Sequence, residues 1–327
     1  MRVSFNELMA QFERVLLKHS FPPEKAAICA RIFAENSRDG VYSHGLNRFP
    51  VFMQQVYDGY IDVHGVHEVI SHTGGLEQWD GQLAPGMYTA TLAMQRAIEL
   101  AKEFRIGAVA VRNTNHWMRG GTYGWQAADQ GFIGICMTNT IANMPPWGGK
   151  DPRLGNNPLV ISIPRSEGNI VLDMAMSQNS YGKLQEYELD KRALPFPGGY
   201  DEKGELTIEP VAIRQSKRVL PVGFWKGSGL SLMIDMLVTV LSGGRSTPQV
   251  TSSGQEYGLS QFFLCIDPGH LDDEKIKEII DYTKSSALSE NSRSIFYPGE
   301  NTLKTRKDNL LNGIPVNEEI WQKVLSM

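Results

Sequence analysis

Hydrophobic residues recur at helical spacing through the first 60 residues of the chain. Ser4 followed by Glu7 has the arrangement of a capping box, which starts a helix. The apolar positions after it repeat every three or four residues and are Phe5, Leu8, Met9, Phe12, Val15 and Leu16. Pro22 and Pro23 favour the start of a second helix, and a third is predicted from about Pro50 to Gly59. This pattern predicts an all-helical N-terminal part.

After Gly65 the pattern changes to short apolar runs interrupted by turn residues. Gly86 to Phe104 predicts a helix, and Gly229 to Leu241 predicts a buried helix because it is apolar nearly all round. Leu184 to Pro221 is rich in charge, proline and glycine and predicts loops. The runs that predict strands are Ile106–Val111, Phe132–Met137, Leu159–Ile163, Ile170–Met174 and Phe262–Ile266. Their irregular alternation with helices predicts an α/β fold with a mixed or antiparallel central sheet.

Composition and charge exclude several classes of function. The chain has 327 residues, 41% of them hydrophobic, which is enough for a sizeable core. A net charge of -4 argues against a nucleic-acid partner, which usually requires a basic surface. No apolar segment is long enough to span a membrane, and the N-terminus lacks the apolar region of a secretory signal. With only 3 scattered cysteines as well, we expect a cytoplasmic protein without disulfides.

Several familiar cofactor motifs are missing from the sequence. No G-x-G-x-x-G follows a predicted strand, and neither a Walker A sequence nor H-E-x-x-H occurs. His64, His67 and His72 are close in sequence, but no cysteine or clear carboxylate set accompanies them. We interpret these histidines as surface residues and predict no metal site.

One candidate site lies between two predicted helices, at Tyr42–Arg48. His44 follows Ser43, and Arg48 comes four residues later. Imidazole titrates near neutrality and suits general acid catalysis, whereas a guanidinium matches a carboxylate with two parallel hydrogen bonds. A helix-capping serine beside a solvated histidine and arginine is the structural alternative, and spacing alone does not exclude it.

Two further candidate segments follow predicted strands. Asn115, His116 and Arg119 lie in a polar run with two glycines, and strand ends are where binding residues gather. Asp173 ends a strand that leads to Gly182 and Lys183, while Trp225–Gly229 combines a lysine with glycines before the apolar helix. A glycine-rich helix start with a lysine nearby suits phosphate, although ordinary tight turns have the same composition.

Together these segments resemble the type-2 malate/L-lactate dehydrogenase family, whose members use NAD(P) without a Rossmann motif. The resemblance extends over nearly the whole chain. Its matching stretches, in order, are SHGLNR at Ser43–Arg48, GNNP at Gly155–Pro158, DMAMSQNSYGK at Asp173–Lys183, WKGSGL at Trp225–Leu230 and PGE at Pro298–Glu300. The stretches at Asn115–Gly121 and Met144–Lys150 are similar to a branch of the family that acts on a six-carbon diketo sugar acid.

The resemblance implies an organisation for the whole chain. A helical part for substrate and dimer contacts would comprise residues 1–65 and 272–327, and an NADH-binding part with a mixed sheet would comprise residues 66–271. It also implies a homodimer and NADH as cofactor, with NADPH left open. Other oxidoreductases of the family, acting on malate, lactate, ureidoglycolate or cyclic imino acids, and a non-catalytic sugar-acid-binding relative are the alternatives.

The same resemblance implies roles for individual residues. His44 would donate the proton, Ser43 would orient it, and Arg48 would pair with the substrate carboxylate. Asn115, His116 and Arg119 would hold other substrate oxygens, with His116 also a catalytic candidate. The residues that would bind the cofactor are Asn169, Ile170, Val171, Leu172, Asp173, Met174, Ala175, Lys183, Trp225, Lys226, Gly299, Glu300 and Asn301.

Overall fold

The computed structural model describes residues 1–290 and 292–327, and its largest element is a sheet at the centre of the chain. The strands in this part of the chain are β1 Arg2–Val3, β2 Glu68–Thr73, β3 Leu76–Asp80, β4 Ile106–Thr114, β5 Ile133–Thr138, β6 Leu159–Ile163, β7 Ile170–Met174, β8 Gly199–Tyr200, β9 Leu206–Thr207, β10 Leu259–Ile266 and β11 Ile314–Pro315. The central sheet has the order β2-β3-β4-β10-β5-β6-β7. Its pairs are antiparallel except β3 with β4, so the predicted mixed sheet is confirmed.

The helices of the same residues cover both faces of the sheet and one end of the molecule. They are α1 Phe5–Lys18, α2 Pro23–Arg38, α3 Phe49–Tyr57, α4 Gly86–Phe104, α5 Gly121–Asp129, α6 Tyr181–Leu189, α7 Pro210–Ser216, α8 Trp225–Ser242, α9 Thr247–Ser252, α10 Asp273–Lys284, α11 Glu300–Asn312 and α12 Glu318–Ser326. Nothing among these helices combines the length and the hydropathy that are needed to cross a bilayer.

The two chain ends form one helical layer. Ser4 caps α1 by accepting the N–H of Glu7, and α1 then buries its apolar stripe against α2. Phe12 contacts Phe33 and Phe49, with ring centroids 5.6 and 4.5 Å apart. From the C-terminal end, α11 packs on α2, α12 packs on α1 and α3, and β11 pairs with β1. The fold class predicted from sequence, including a helical part built from both ends, is confirmed, whereas its division into functional parts stays a prediction.

Small residues let helix α4 lie directly on the sheet. Ala93, Ala97 and Ala101 are fully buried where α4 covers β4 and β10. A Cβ at Gly107 of β4 would lie only 2.1 Å from the Ala97 carbonyl oxygen, so this contact requires glycine. On the opposite face α8 crosses β4, β5 and β10. The central strands are therefore covered on both faces, as their apolar runs require.

Two sequence-based predictions need correction, and one hairpin lies outside the predicted elements. Helix α8 is not buried all round, because Met233, Met236 and Val240 are 51%, 51% and 77% exposed. The predicted loop region from residue 184 to residue 221 contains the end of α6, helix α7 and the short hairpin β8–β9, organised around a small separate core. The hairpin β2–β3 was not predicted, because the residues of β2 are exposed and lack the alternation of a half-buried strand.

A buried carboxylate joins the helical layer to the sheet. Asp39, at the end of α2, accepts hydrogen bonds from Arg38, Arg119 and Arg306, and its side chain is only 4% exposed. Burial alone would raise the pKa of Asp39, but the three guanidinium groups outweigh burial and hold that pKa below its ordinary value. Arg119 also reaches Asp173 on β7, so one ion-pair network connects α2, α11 and the sheet.

We expect Asp39→Asn to destabilise the fold by about 3–5 kcal/mol, because Arg306 loses its paired carboxylate and the buried Arg119 keeps only Asp173. The measurement is equilibrium unfolding in urea. Asp308→Asn is the matched control, since Asp308 is 53% exposed and pairs with Arg2 at 3.4 Å. The control should cost less than about 1 kcal/mol. Equal effects of the two substitutions would contradict the structural role assigned to Asp39.

Candidate active site

The backbone that carries His44 is held in place from helix α2. Asn36 donates to the His44 carbonyl at 2.9 Å, and the Ser37 hydroxyl accepts the N–H of Leu46 at 2.9 Å. Between them Gly45 passes so close to α2 that a Cβ would lie 2.2 Å from the Ser37 Oγ. The tight turn that follows α2 therefore fixes where the His44 ring points.

The His44 ring contacts a hydroxyl on one side and a second imidazole on the other. Its Nδ1 lies 3.1 Å from the Ser43 Oγ. The His116 ring is stacked on it, with centroids 5.7 Å apart and planes inclined by 14°. The structure thus brings together Ser43, His44 and His116, three of the residues selected from sequence.

The tautomer of His116 follows from its backbone partner. The N–H of Met118 donates to the Nδ1 of His116 at 3.0 Å, and Met118 adopts a left-handed conformation with φ +65°. An Nδ1 that accepts a hydrogen bond carries no proton, so the proton of the neutral ring is on Nε2. That Nε2 faces the Oε1 of Glu256, 4.0 Å away.

Both imidazoles are neutral at pH 7 in this state. Burial, with the charge of Arg48 as the next cause, lowers the pKa of His44 to about 4. The same two causes hold the pKa of His116 well below its usual value. At His44 the carboxylate of Asp173 opposes this shift and raises the pKa. Asp173 therefore stabilises the protonated form of His44 when the ring accepts and returns a proton.

Arg48 supplies the positive charge that acts on both histidines. Its Nε is buried and has no hydrogen-bond partner among the residues that the structure describes. Burying an unpaired donor costs free energy, which an anionic oxygen in the site would recover. The arrangement therefore fits an acid whose carboxylate binds Arg48 while its neighbouring carbon lies beside His44.

The structure places Arg119 and Asn115 behind the site. The guanidinium of Arg119 is hydrogen-bonded to Asp39, Asp173 and Thr302, and 8% of the side chain is exposed. The amide nitrogen of Asn115 donates to backbone carbonyls, among them that of Leu83 at 2.7 Å. These contacts give both residues a positioning function. Their predicted contact with substrate oxygens stays a prediction.

A carboxylate that sequence reasoning missed completes the site. Glu256 lies in the turn between α9 and β10, and its Oε2 accepts the N–H of Ile141 at 3.1 Å. Burial raises the pKa of Glu256, while the Ile141 N–H and the charge of Arg48 oppose that rise. The weak signal in the sequence is an acid between Gly254 and Gly258 just before a strand.

The predicted cofactor segments lie next to one another. The N–H of Val171 donates to the Pro298 carbonyl at 3.1 Å, which joins the Asn169–Ala175 segment to Gly299–Asn301. The N–H of Val222 donates to the Met176 carbonyl at 2.8 Å, just before Trp225 and Lys226 open helix α8. Lys183 is instead exposed and paired with Glu186 at 2.8 Å. These hydrogen bonds join the two segments and the start of α8 into one strip. Gly182, next to Lys183, packs against Ser43, because a Cβ there would lie 3.0 Å from the Ser43 Cβ. The predicted contacts of all these residues with a cofactor stay predictions.

Individual residues of this strip bear on whether it can bind a dinucleotide. Gly299 has φ +92°, and a Cβ there would lie 3.0 Å from the Val171 nitrogen, so glycine lets this loop pack closely against β7. The Oδ2 of Asp173 is taken by Arg119 and Gly121, which leaves Oδ1 available for a hydroxyl. Lys226 offers a cation, but the first-turn N–H groups of α8 already donate to local carbonyls. Phosphate binding at α8 would thus depend on the lysine side chain.

The three clustered histidines do not converge on a metal position. His67 stacks on Trp79 with centroids 4.0 Å apart, and the Nε2 of His72 lies 2.9 Å from the Gly74 carbonyl oxygen. Across residues 1–290 and 292–327, no group of three His, Cys, Asp or Glu side chains has metal-binding geometry.

The fold and the site together define a class of protein. The model of the malate/L-lactate dehydrogenase family matches residues 3–325, and the chain belongs to this family. The resemblance inferred from the motifs is therefore confirmed.

Named relatives lie within this family. The chain is 46% identical to 2,3-diketo-L-gulonate reductase of Escherichia coli strain K12 over 333 residues, covering 100% of both chains, and equally so to the Citrobacter koseri protein of that name. Among solved structures, malate dehydrogenase from Pyrococcus horikoshii has a TM-score of 0.90 at 30% identity, covering 100% of this chain and 94% of the other. Sulfolactate dehydrogenase from Methanocaldococcus jannaschii has 0.89 at 29%, covering 99% and 95%.

We expect Arg48→Gln to raise the pKa of His44 above 4, because it removes a neighbouring cation while leaving the burial of the ring unchanged. The measurement is an NMR titration of the histidine Cε1–H signals, with His44→Asn used for assignment. Lys226→Gln serves as the control, since Lys226 does not contribute to the His44 pKa. An unchanged His44 titration in Arg48→Gln would contradict the electrostatic coupling.

Proposed function

We propose that this oxidoreductase reduces 2,3-diketo-L-gulonate to 3-keto-L-gulonate, with hydride delivered to the C2 carbonyl. The observation that carries the proposal is the neutral His44, held by Ser43 and flanked by an unpaired Arg48 Nε and the Asp173 carboxylate. The full-length identity of 46% to proteins named for this reaction supports the substrate.

Arg48 binds the C1 carboxylate in this proposal. A bound carboxylate neutralises the cation that lowers the His44 pKa, so substrate binding raises that pKa toward the value a general acid needs. The imidazolium then lies beside the C2 oxygen as negative charge develops there. Ser43 keeps the ring oriented through Nδ1, and Asp173 stabilises the protonated form.

The nicotinamide cofactor supplies the hydride when it is bound. Trp225, Lys226, Gly299, Glu300, Asn301 and the Asn169–Ala175 segment would hold it, and we propose NADH rather than NADPH. The free Oδ1 of Asp173 supports this choice, because it can accept a ribose hydroxyl and would repel a 2′-phosphate. Lys304 and Lys284 are both paired with Glu300, so neither is free for a 2′-phosphate. Three free, buried cysteines are compatible with the reducing cytoplasm that we propose as its location.

The proposal predicts a substrate order that steady-state kinetics can measure. With NADH, kcat/KM for 2,3-diketo-L-gulonate should exceed that for pyruvate and oxaloacetate by about 30- to 10⁴-fold, because buried polar groups are left unpaired by short acids. His44→Asn should lower kcat by about 10²–10⁴-fold, while His270→Asn, an exposed histidine, should leave it unchanged.

A preference for oxaloacetate or pyruvate would exclude the sugar-acid substrate and favour the malate or lactate alternative. Full activity of His44→Asn would remove His44 from the mechanism. The same assay with NADPH tests the cofactor, since a higher kcat/KM with NADPH would contradict the proposal for NADH.

We further propose that the outward face of helix α8 is the contact between two copies of the chain. On this face Leu237 is 43% exposed one turn after Met233, and Val240 is 77% exposed one turn after Met236. The C-terminal end of α8 is hydrogen-bonded to β3 through Gln78, and Val69 and Ile70 are exposed on the neighbouring edge strand β2. A monomer rarely exposes apolar side chains in one such contiguous patch.

We expect the double substitution Met236→Glu and Val240→Asp to convert a dimer into a monomer, because it buries two charges in an apolar interface. Sedimentation equilibrium measures the mass. Val211→Asp and Ile208→Glu is the control pair, on exposed apolar residues near α7. Dimerisation that survives the α8 substitutions would place the interface elsewhere.

A further inference from the structure

Glu256 lies in the candidate active site, but the proposed reaction assigns no role to its carboxylate. Its side chain and that of His116 are each 17% exposed, so the pair is largely enclosed but still accessible. Oε2 is occupied by the N–H of Ile141. Oε1 accepts no hydrogen bond from the residues that the structure describes, and its nearest cationic or imidazole partner is the Nε2 of His116 at 4.0 Å.

The functional groups follow one another along the site. The His44 ring stacks on the His116 ring, and Glu256 lies beyond His116. With the substrate carboxylate on Arg48 and C2 at His44, the remaining carbons extend past His116 toward the free Oε1 of Glu256. The end of the substrate opposite its carboxylate therefore meets a hydrogen-bond acceptor. The charge of Arg48 also reaches Glu256, but in this arrangement Arg48 is occupied by the C1 carboxylate.

We propose that Glu256 selects the substrate class: it accepts a hydrogen bond from a hydroxyl on the uncharged tail of a sugar acid and repels a second carboxylate. The inference rests on the proposed function for the position of C1 at Arg48. A free carboxylate oxygen is a strong acceptor for a hydroxyl donor. The same oxygen opposes a like charge, and the opposition is strong because little water is present to screen it.

This arrangement of charges predicts that the enzyme discriminates against substrates that carry two carboxylates. Oxaloacetate and malate carry a carboxylate at the far end, whereas pyruvate and lactate are short and carry none. Pyruvate therefore measures the shared chemistry at Arg48 and His44 without any interaction at Glu256. The ratio of oxaloacetate to pyruvate turnover isolates the contribution of Glu256, whether or not the six-carbon substrate is correct.

The test compares wild type with Glu256→Gln, in which the amide oxygen can still accept the Ile141 N–H. We expect kcat/KM for oxaloacetate relative to pyruvate to rise about 10- to 100-fold. For 2,3-diketo-L-gulonate relative to pyruvate it should fall about tenfold, because a charged acceptor becomes neutral. Glu278→Gln on the exposed surface of α10 removes the same net charge and should change neither ratio.

An unchanged oxaloacetate-to-pyruvate ratio would overturn the inference. A uniform fall for all three substrates would also overturn it, since Glu256 would then act by positioning His116. Product-type inhibition of the wild-type enzyme gives a second test. The inhibition constant of lactate against pyruvate reduction should be at least about tenfold lower than that of malate. Equal inhibition by the two acids would contradict a repulsive Glu256. Failure of the proposed function can be distinguished from failure of this inference. In that case 2,3-diketo-L-gulonate would be turned over poorly, while Glu256→Gln would still raise the oxaloacetate-to-pyruvate ratio.

Discussion

The structure depends on one buried carboxylate, Asp39, and the arginines around it. Arg306 reaches it from 267 positions away and Arg119 from 80 positions away, so the chain ends and the sheet are fixed against the same group. Because the turn carrying His44 begins directly after α2, this network also sets the distance between the helical layer and the sheet. The candidate active site is the seam between these two parts.

The seam explains why the site is electrostatically unusual. Two imidazoles stacked beside an arginine would ordinarily be avoided, since each group opposes protonation of the others. Here the fold enforces that arrangement, and the result is a pair of neutral rings next to an unpaired guanidinium nitrogen. In the proposed mechanism a substrate carboxylate at Arg48 offsets this positive charge, which links substrate binding to protonation of His44.

Residues around the seam are of two kinds: some hold the surrounding protein segments in place, and others have side chains directed into the candidate active site. Arg119 and Asn115 point into the protein and hold loops, although their position after a strand resembles that of ligand-binding residues. Glu256 faces the site, although nothing in its local sequence distinguishes it from other turn acids.

The sequence by itself determined the elements whose signals are local. Helix α4 and strands β6 and β7 begin and end where predicted, because periodicity and flanking turn residues act over a few positions. The motif at Ser43–Arg48 was likewise recognisable, since its chemistry is contained in six consecutive residues. Only the tertiary structure decided that α8 exposes an apolar face, that Arg119 belongs to Asp39, and that Glu256 meets His116. Each of these depends on which distant segments pack together, and neither spacing nor composition along the chain carries that information.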